Sequence, residues 1–264
     1  MLKKSALRRI TTSTIALIIV GILCFFPKNE TLNKIPINTN YVDIIKSPIY
    51  LINKNNYVVR TTIASSTTNN EDKIKELIKA LTIDNMNESI PNNFRQIIPK
   101  NTRLIDLSLE SGLLKINFSK ELLNISKNDE EKLIEALIYT LTEIPDVKEI
   151  MIFIENQKLE YLPQSKTKLP NTLNRDFGIN KVYDITNIKN LTKTTIYYIG
   201  KEQNLTYYIP VTKIDNNENN KVEIIIEELK SSPIYETNLR SYLASSVELL
   251  NYETLENQIN LSFN

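Results

Sequence analysis

Four apolar residues at helical spacing occur twice in this chain, at one fixed separation. Ile74, Leu77, Ile78 and Leu81 stand at i, i+3, i+4 and i+7, and Val222, Ile225, Ile226 and Leu229 repeat the stripe 148 residues later. Such spacing lines one face of an α-helix, and a constant offset is what an internal duplication leaves. Each stripe follows a strand–turn–strand pattern: "SPIYLINKNNYVVRTTIA" (47–64), with turn-forming residues at 53–56, and "TTIYYIGKEQNLTYYIPVTK" (194–213). Asn70 is the expected N-cap of the first helix, with Glu71 and Asp72 at its positive end.

The correspondence continues. "NTRLIDLSLESGLLKINF" (101–118) aligns with "SVELLNYETLENQINLSF" (246–263) at an offset of 145, so the second helix-to-hairpin connector is three residues shorter. In the first copy the turn is "ESG" (110–112), where Gly112 can take a positive φ; Asn257 stands in its place in the second. After the first hairpin, "KNDEEKLIEALIYTLTEI" (127–144) predicts an amphipathic helix, capped by Asn128 or Asp129 and ended by Pro145. The apolar run Ile150–Ile154 then predicts a strand inside a sheet. The unit reads ββαββαβ, an α+β sandwich with helices on one face of a sheet.

The second copy has no counterpart of residues 119–158. It is therefore expected to be incomplete, with an open strand edge and with Ile259, Leu261 and Phe263 short of cover unless domain one, a partner or a second copy of the chain supplies it. A fragment 194–264 is expected to fold poorly alone.

The N-terminus bears on location. Residues 1–9 carry Lys3, Lys4, Arg8 and Arg9 and no acid, and 10–26 carry no charge. A helix over 10–26 reaches about 25 Å, slightly short of a hydrocarbon core. Phe25, Phe26 and Pro27 leave no small-x-small cleavage pattern, so an uncleaved single-span anchor is the leading reading, with lipidation at Cys24 or cleavage as alternatives. Positive charge at 1–9 keeps that end cytoplasmic and places 28–264 outside the cell membrane. The domain map is then a basic segment 1–9, an anchor 10–26, a polar linker 27–40, a first domain 41–160, a linker 161–193 and a second domain 194–264.

Composition narrows the chemistry. There is no His, one Cys and four Gly, which removes the commonest general base and metal ligand, any intrachain disulfide and any glycine-rich phosphate loop. With 32 basic against 31 acidic residues, nucleic acid is not an expected partner. No cofactor, metal or catalytic site is expected. Glu130–Glu131 and Glu227–Glu228 are neighbours on helices and cannot flank one glycosidic bond, so they are read as solvated faces. Ser65 and Ser66 near Lys73 and Lys75 lack the S-x-x-K spacing of a Ser–Lys hydrolase. In "YY" at 197–198 and 207–208, one ring of each pair faces inward and the other is free to meet a glycan.

Residues 98–123 and 131–158 resemble the GerM domain of sporulation and germination proteins. Pro99 and Thr102 match that family's P-x-G-T turn, with Asn101 for glycine; Phe118 and Ser119 match its v-x-F-S strand end. Thr140, Leu141, Thr142, Glu143 and Pro145 match T-L-T-E-x-P, and Asn156 and Lys158 match N-G-K, with Gln157 for glycine. "YYIPVTK" (207–213) and "ELKSSP" (228–233) resemble the family in the second copy, while "LASSVELL" departs from it. The resemblance implies tandem domains, similar in fold to ring-building motifs. It also implies a non-enzymatic, membrane-tethered role in envelope assembly, through self-association, envelope proteins or peptidoglycan. Within T-L-T-E, Thr140 and Thr142 are expected to bond back to preceding helix carbonyls.

Overall fold

The computed structural model describes residues 4–25, 45–65, 67–83, 90, 92–202, 205–217, 219–231, 239–256 and 258–264. Helix α1 (Lys4–Phe25) forms where the apolar run predicts it. Among the described residues, however, no helix is long and apolar enough to cross a membrane. The reason is local: Arg8, Arg9 and the hydroxyl run Thr11–Thr14 leave Ile15–Phe25 as the apolar part, about 16 Å of helix against about 30 Å of hydrocarbon. The structure thus shows a helix there and not the membrane span expected over 10–26. The linker 27–40 lies outside the described residues. Residues 43–264 form a compact unit separate from the one that contains α1.

In that unit the first copy opens with the hairpin β1 (Ile45–Asn53) and β2 (Val58–Ser65). Helix α2 (Asn70–Leu81) follows, capped by Asn69 rather than Asn70: the Asn69 carboxamide accepts from the N–H groups of Glu71 and Asp72. Strand β3 (Phe94–Arg95) adds to β1 at Ile52 and Asn53 only. The second hairpin, β4 (Leu104–Glu110) and β5 (Leu113–Phe118), turns through Ser111 and Gly112, both at positive φ. Helix α3 (Glu130–Leu141) then crosses over, so that β6 (Glu149–Ile154) lies parallel to β5, and β7 (Gln157–Lys158) closes the sheet.

The single sheet expected from the sequence is two sheets, ordered β2-β1-β3 and β4-β5-β6-β7. With only two residues in β3, the first sheet stops there and β5 pairs with β6 instead. Helix α3 packs on β1, β2 and β6, and Leu133–Leu141 are buried without interruption. The apolar run of β6 alternates between buried and half-buried, since Met151 and Phe153 face away from α3. A run of apolar residues therefore overstated the cover on that side.

Residues 161–182 are packed by several apolar side chains, while 183–191 are exposed. Leu162, Leu169, Leu173 and Ile179 are buried, and β8 (Val182–Asp184) pairs in parallel with a strand of the second copy. That copy repeats the order: β9 (Thr192–Glu202), β10 (Leu205–Asp215), α4 (Lys221–Lys230), β11 (Leu239–Arg240), β12 (Leu249–Leu255) and β13 (Gln258–Phe263). Strand β11 pairs β9 as β3 pairs β1. Each second hairpin has a register shift at its first residues, between Leu104 and Asp106 and between Leu249 and Asn251. Those positions are again 145 apart, so the duplication is preserved down to a bulge. On β9 and β10 the tyrosines divide as expected, Tyr198 and Tyr207 buried and Tyr197 and Tyr208 exposed. At Gly200 a Cβ would stand 2.8 Å from the Tyr207 ring and 2.7 Å from Ile209 Cδ1, so glycine is what lets Tyr207 lie across β9.

Candidate functional site

At the end of α3 the T-L-T-E residues meet three other parts of the molecule. Strand β1 has β2 on one side, but β3 does not reach Tyr50 on the other. The free Tyr50 N–H is taken by Thr140 Oγ1 at 2.9 Å, both groups being buried. Thr140 therefore bonds across to a strand, not back along its helix as expected. Thr142 does bond back, its hydroxyl donating to the Ile138 carbonyl at 2.8 Å while accepting from Arg175 Nε at 2.9 Å. Glu143 accepts from Arg175 (3.0 Å), Arg60 (3.3 Å) and the Tyr50 hydroxyl (3.1 Å). Burial alone would raise the Glu143 carboxyl; the two guanidinium groups outweigh it and hold the pKa below the ordinary range. Burial, then the Glu143 charge, pushes the Tyr50 phenol well above its usual value.

The other signature residues shape turns and core. Thr102 N–H donates to the Pro99 carbonyl, and Asn101 takes φ 65° where the family pattern has glycine. Ser119 Oγ accepts from Arg103 N–H at 3.0 Å, while Phe118 and Leu141 are fully buried. Asn156, at φ 68°, exchanges two hydrogen bonds with the buried Asn117, and Lys158 Nζ reaches Asn171. Pro145 is exposed beyond the helix, which ends at Leu141.

A second cluster joins the copies. Asn180, at φ 47°, accepts from Val58 N–H at 2.8 Å and donates to the carbonyls of Val58 and Pro210, each at 2.7 Å. One carboxamide thus spans the edges of β2 and β10. Beside it, Asn53 Nδ2 donates to the Tyr207 hydroxyl at 3.1 Å. Asn180 N–H is held by Glu135 of α3 at 3.0 Å, and Lys181 Nζ lies 3.5 Å from the same carboxylate and 3.6 Å from the Phe177 ring centroid. Burial pushes the Glu135 carboxyl up to about 7, against the opposing pull of Lys181 and the Asn180 N–H. None of Glu135, Arg175, Asn180 and Lys181 was singled out from sequence. The signal was present for Glu135 alone, a charge inside a helix apolar nearly all round, where it must be paired.

Several sequence readings change here. Glu130 is not on a solvated face: it is buried and accepts from the N–H groups of Gln164 and Ser165. Glu228 is half-buried against Lys213 at 2.7 Å and near the Tyr198 hydroxyl. Ser65 donates to Glu76 at 2.6 Å, with no lysine in that contact; Ser66 and Asn257 lie outside the described residues. Asp129 caps α3 by position but makes no capping hydrogen bond; its carboxylate takes Arg95 at 2.7 Å. Among the described residues no group of three or more His, Cys, Asp and Glu could hold a metal ion.

Two results are expected. Thr140→Val keeps shape but leaves the Tyr50 N–H buried without an acceptor, lowering stability by about 1–3 kcal/mol in urea denaturation. Glu135→Gln removes a pH dependence. The folded pKa lies above the unfolded one, so the folded state binds more protons between about 4.5 and about 7. The Glu135 contribution therefore falls as pH rises through that window, and Tm scans from pH 5 to 8 are expected to be flatter in the variant. Glu143 has the opposite sign: its contribution is full above the ordinary carboxylate range and is lost on acidification through the lowered pKa.

Comparisons with known proteins show what the chain is similar to. The family model described as "Germane: Sporulation and spore germination" matches residues 48–160, which include most of β1 and the T-L-T-E end of α3. The spore germination protein GerM of Bacillus subtilis (strain 168) is 30% identical over 223 residues, 82% of this chain. The chain spans 60% of the length of that relative. The solved structure of the tandem GerMN domains of the sporulation protein GerM from Bacillus subtilis superposes with a TM-score of 0.77 at 26% identity, covering 83% of this chain and 79% of that one. That coverage takes in both copies.

Proposed function

We propose, for a chain that belongs to the Germane family of sporulation and spore germination domains, a non-enzymatic scaffold role in the cell envelope. It acts outside the membrane through protein–protein association, in the same process as its relatives. The observation that carries this reading is what the signature residues do. Thr140, Thr142 and Glu143 spend their polar groups on β1, β2 and Arg175, so these three serve to tie elements together rather than to act as nucleophile or base. Attachment to the membrane is assigned to the N-terminal helix, whose residues Ile15, Leu17, Ile18, Ile19 and Val20 are all more than half exposed and favour an apolar phase. Either insertion of this half-length apolar face or a lipid on Cys24 would serve.

Incubation of the full chain with purified peptidoglycan tests the reading. The expected outcome is no released fragment; soluble muropeptides would overturn it. A second reading, peptidoglycan binding, is favoured by the exposed rings of Tyr197 and Tyr208 on one face of β9 and β10. Saturable sedimentation with the polymer, lost in Tyr208→Ala, would select it.

A further inference from the structure

Each copy has a groove between its first helix and the edge strand of its second hairpin. The first is about 570 Å³, lined by Lys75, Ile78, Lys79 of α2 and Arg103, Leu104 and Leu107 at β4, together with Glu71 and Asp106. The second is about 740 Å³, lined by Glu223, Ile226, Glu227 of α4 and Glu248, Leu249 and Tyr252 at β12, with Lys230. These are the same positions in the duplication, 148 apart on the helices and 145 apart on the strands. The apolar floor is kept: Ile78 becomes Ile226, Leu104 becomes Leu249, Ile105 becomes Leu250. The charge is inverted: Lys75 becomes Glu223, Lys79 becomes Glu227 and Arg103 becomes Glu248. The two acids of the first groove, Glu71 and Asp106, become Asn219 and Asn251.

We propose that two copies of this chain associate head to tail, the basic α2–β4 groove of one meeting the acidic α4–β12 groove of the next. The inference rests on the scaffold reading above and names its partner and surfaces. Four observations carry it. Both β4 and β12 are paired on one side only, so each directs alternate main-chain N–H and C=O groups outward, ready for another strand. Both present exposed or half-exposed leucine and isoleucine along that edge, Ile105 and Leu250 foremost. Lys79, Arg103, Glu223 and Glu248 form no ion pair among the described residues, so their charges are available to a partner. Finally, reversal at all three equivalent positions makes like grooves repel and unlike grooves attract, which selects the basic–acidic pairing over a contact between like grooves.

The test uses the full chain in detergent micelles, followed by analytical ultracentrifugation. Wild type is expected to self-associate at low salt and to weaken about tenfold as sodium chloride rises to about 0.5 M. The variant K75E/K79E/R103E has two acidic grooves, and E223K/E227K/E248K has two basic ones. Each alone is expected to associate at least about tenfold more weakly than wild type, and mixing them is expected to restore association with the two variants in equal proportion. Variants that self-associate like wild type, or a mixture that stays monomeric while both melt as wild type does, would overturn the proposal. The neutral variant K75Q/K79Q/R103Q guards against misfolding, since it is expected to weaken association without reversing its partner preference. Wild type that stays monomeric at every concentration would also overturn it, yet would leave the scaffold reading standing; only fragment release from peptidoglycan removes that.

Discussion

Leu137→Ala is expected to lower the free energy of unfolding by about 3–5 kcal/mol. Leu137 is fully buried in α3, and α3 packs on both sheets of the first copy. Three constraints meet at this helix: β1 and β2 on one side, β6 on another, and the segment around Arg175 at its end. Neighbours held from so many directions cannot collapse into the void, so the cavity term adds fully to the lost transfer energy. Urea denaturation followed by far-UV circular dichroism measures the change. Leu123→Ala, at an exposed position, is the control and is expected to change stability by less than about 1 kcal/mol.

Asn180→Ala is expected to cost about 3 kcal/mol and to separate the copies in melting. Its carboxamide satisfies two carbonyls and one N–H on the facing edges of β2 and β10, and each group left unpaired costs about 1–3 kcal/mol where water cannot reach. Alanine also loses the tolerance of asparagine for φ 47°. Asn180→Gly keeps the backbone conformation and isolates the side-chain part. Differential scanning calorimetry is expected to resolve two transitions in the variant where wild type shows one. A variant with unchanged melting would show that Phe94, Tyr207 and their neighbours hold the copies together unaided.

Much of the fold was legible because its signals are local. Hairpins announce themselves through alternation and turns such as Ser111–Gly112, and α2 and α3 through their stripes. The duplication supplied the rest by comparison of one half with the other. What was not legible is what depends on partners distant in sequence. Glu130 reads as a surface charge until the N–H groups of Gln164 and Ser165 arrive. Thr140 looks like a helix-end hydroxyl because nothing local reveals that β1 lacks an acceptor at Tyr50. The stopping of the first sheet at β3 follows from pairing over two residues, a length below what any periodicity can register. The charge inversion between grooves was written in the aligned segments throughout, but only the fold shows that helix and strand positions line one space.

The bond between Asn180 and Val58 closes over 122 residues of sequence, and this bears on how the chain is made. The ladders β1–β2, β4–β5, β9–β10 and β12–β13 are hairpins that can close soon after synthesis, since short loops cost little entropy and form fast. The outer edge of β2 is different. It stays uncovered from the time Ser65 is made until Asn180 and β10 have emerged. Throughout that interval another nascent chain could pair there as readily as the rightful partner. Slowing translation between the two copies is therefore expected to increase aggregation, and supplying the second copy early, by circular permutation, to reduce it.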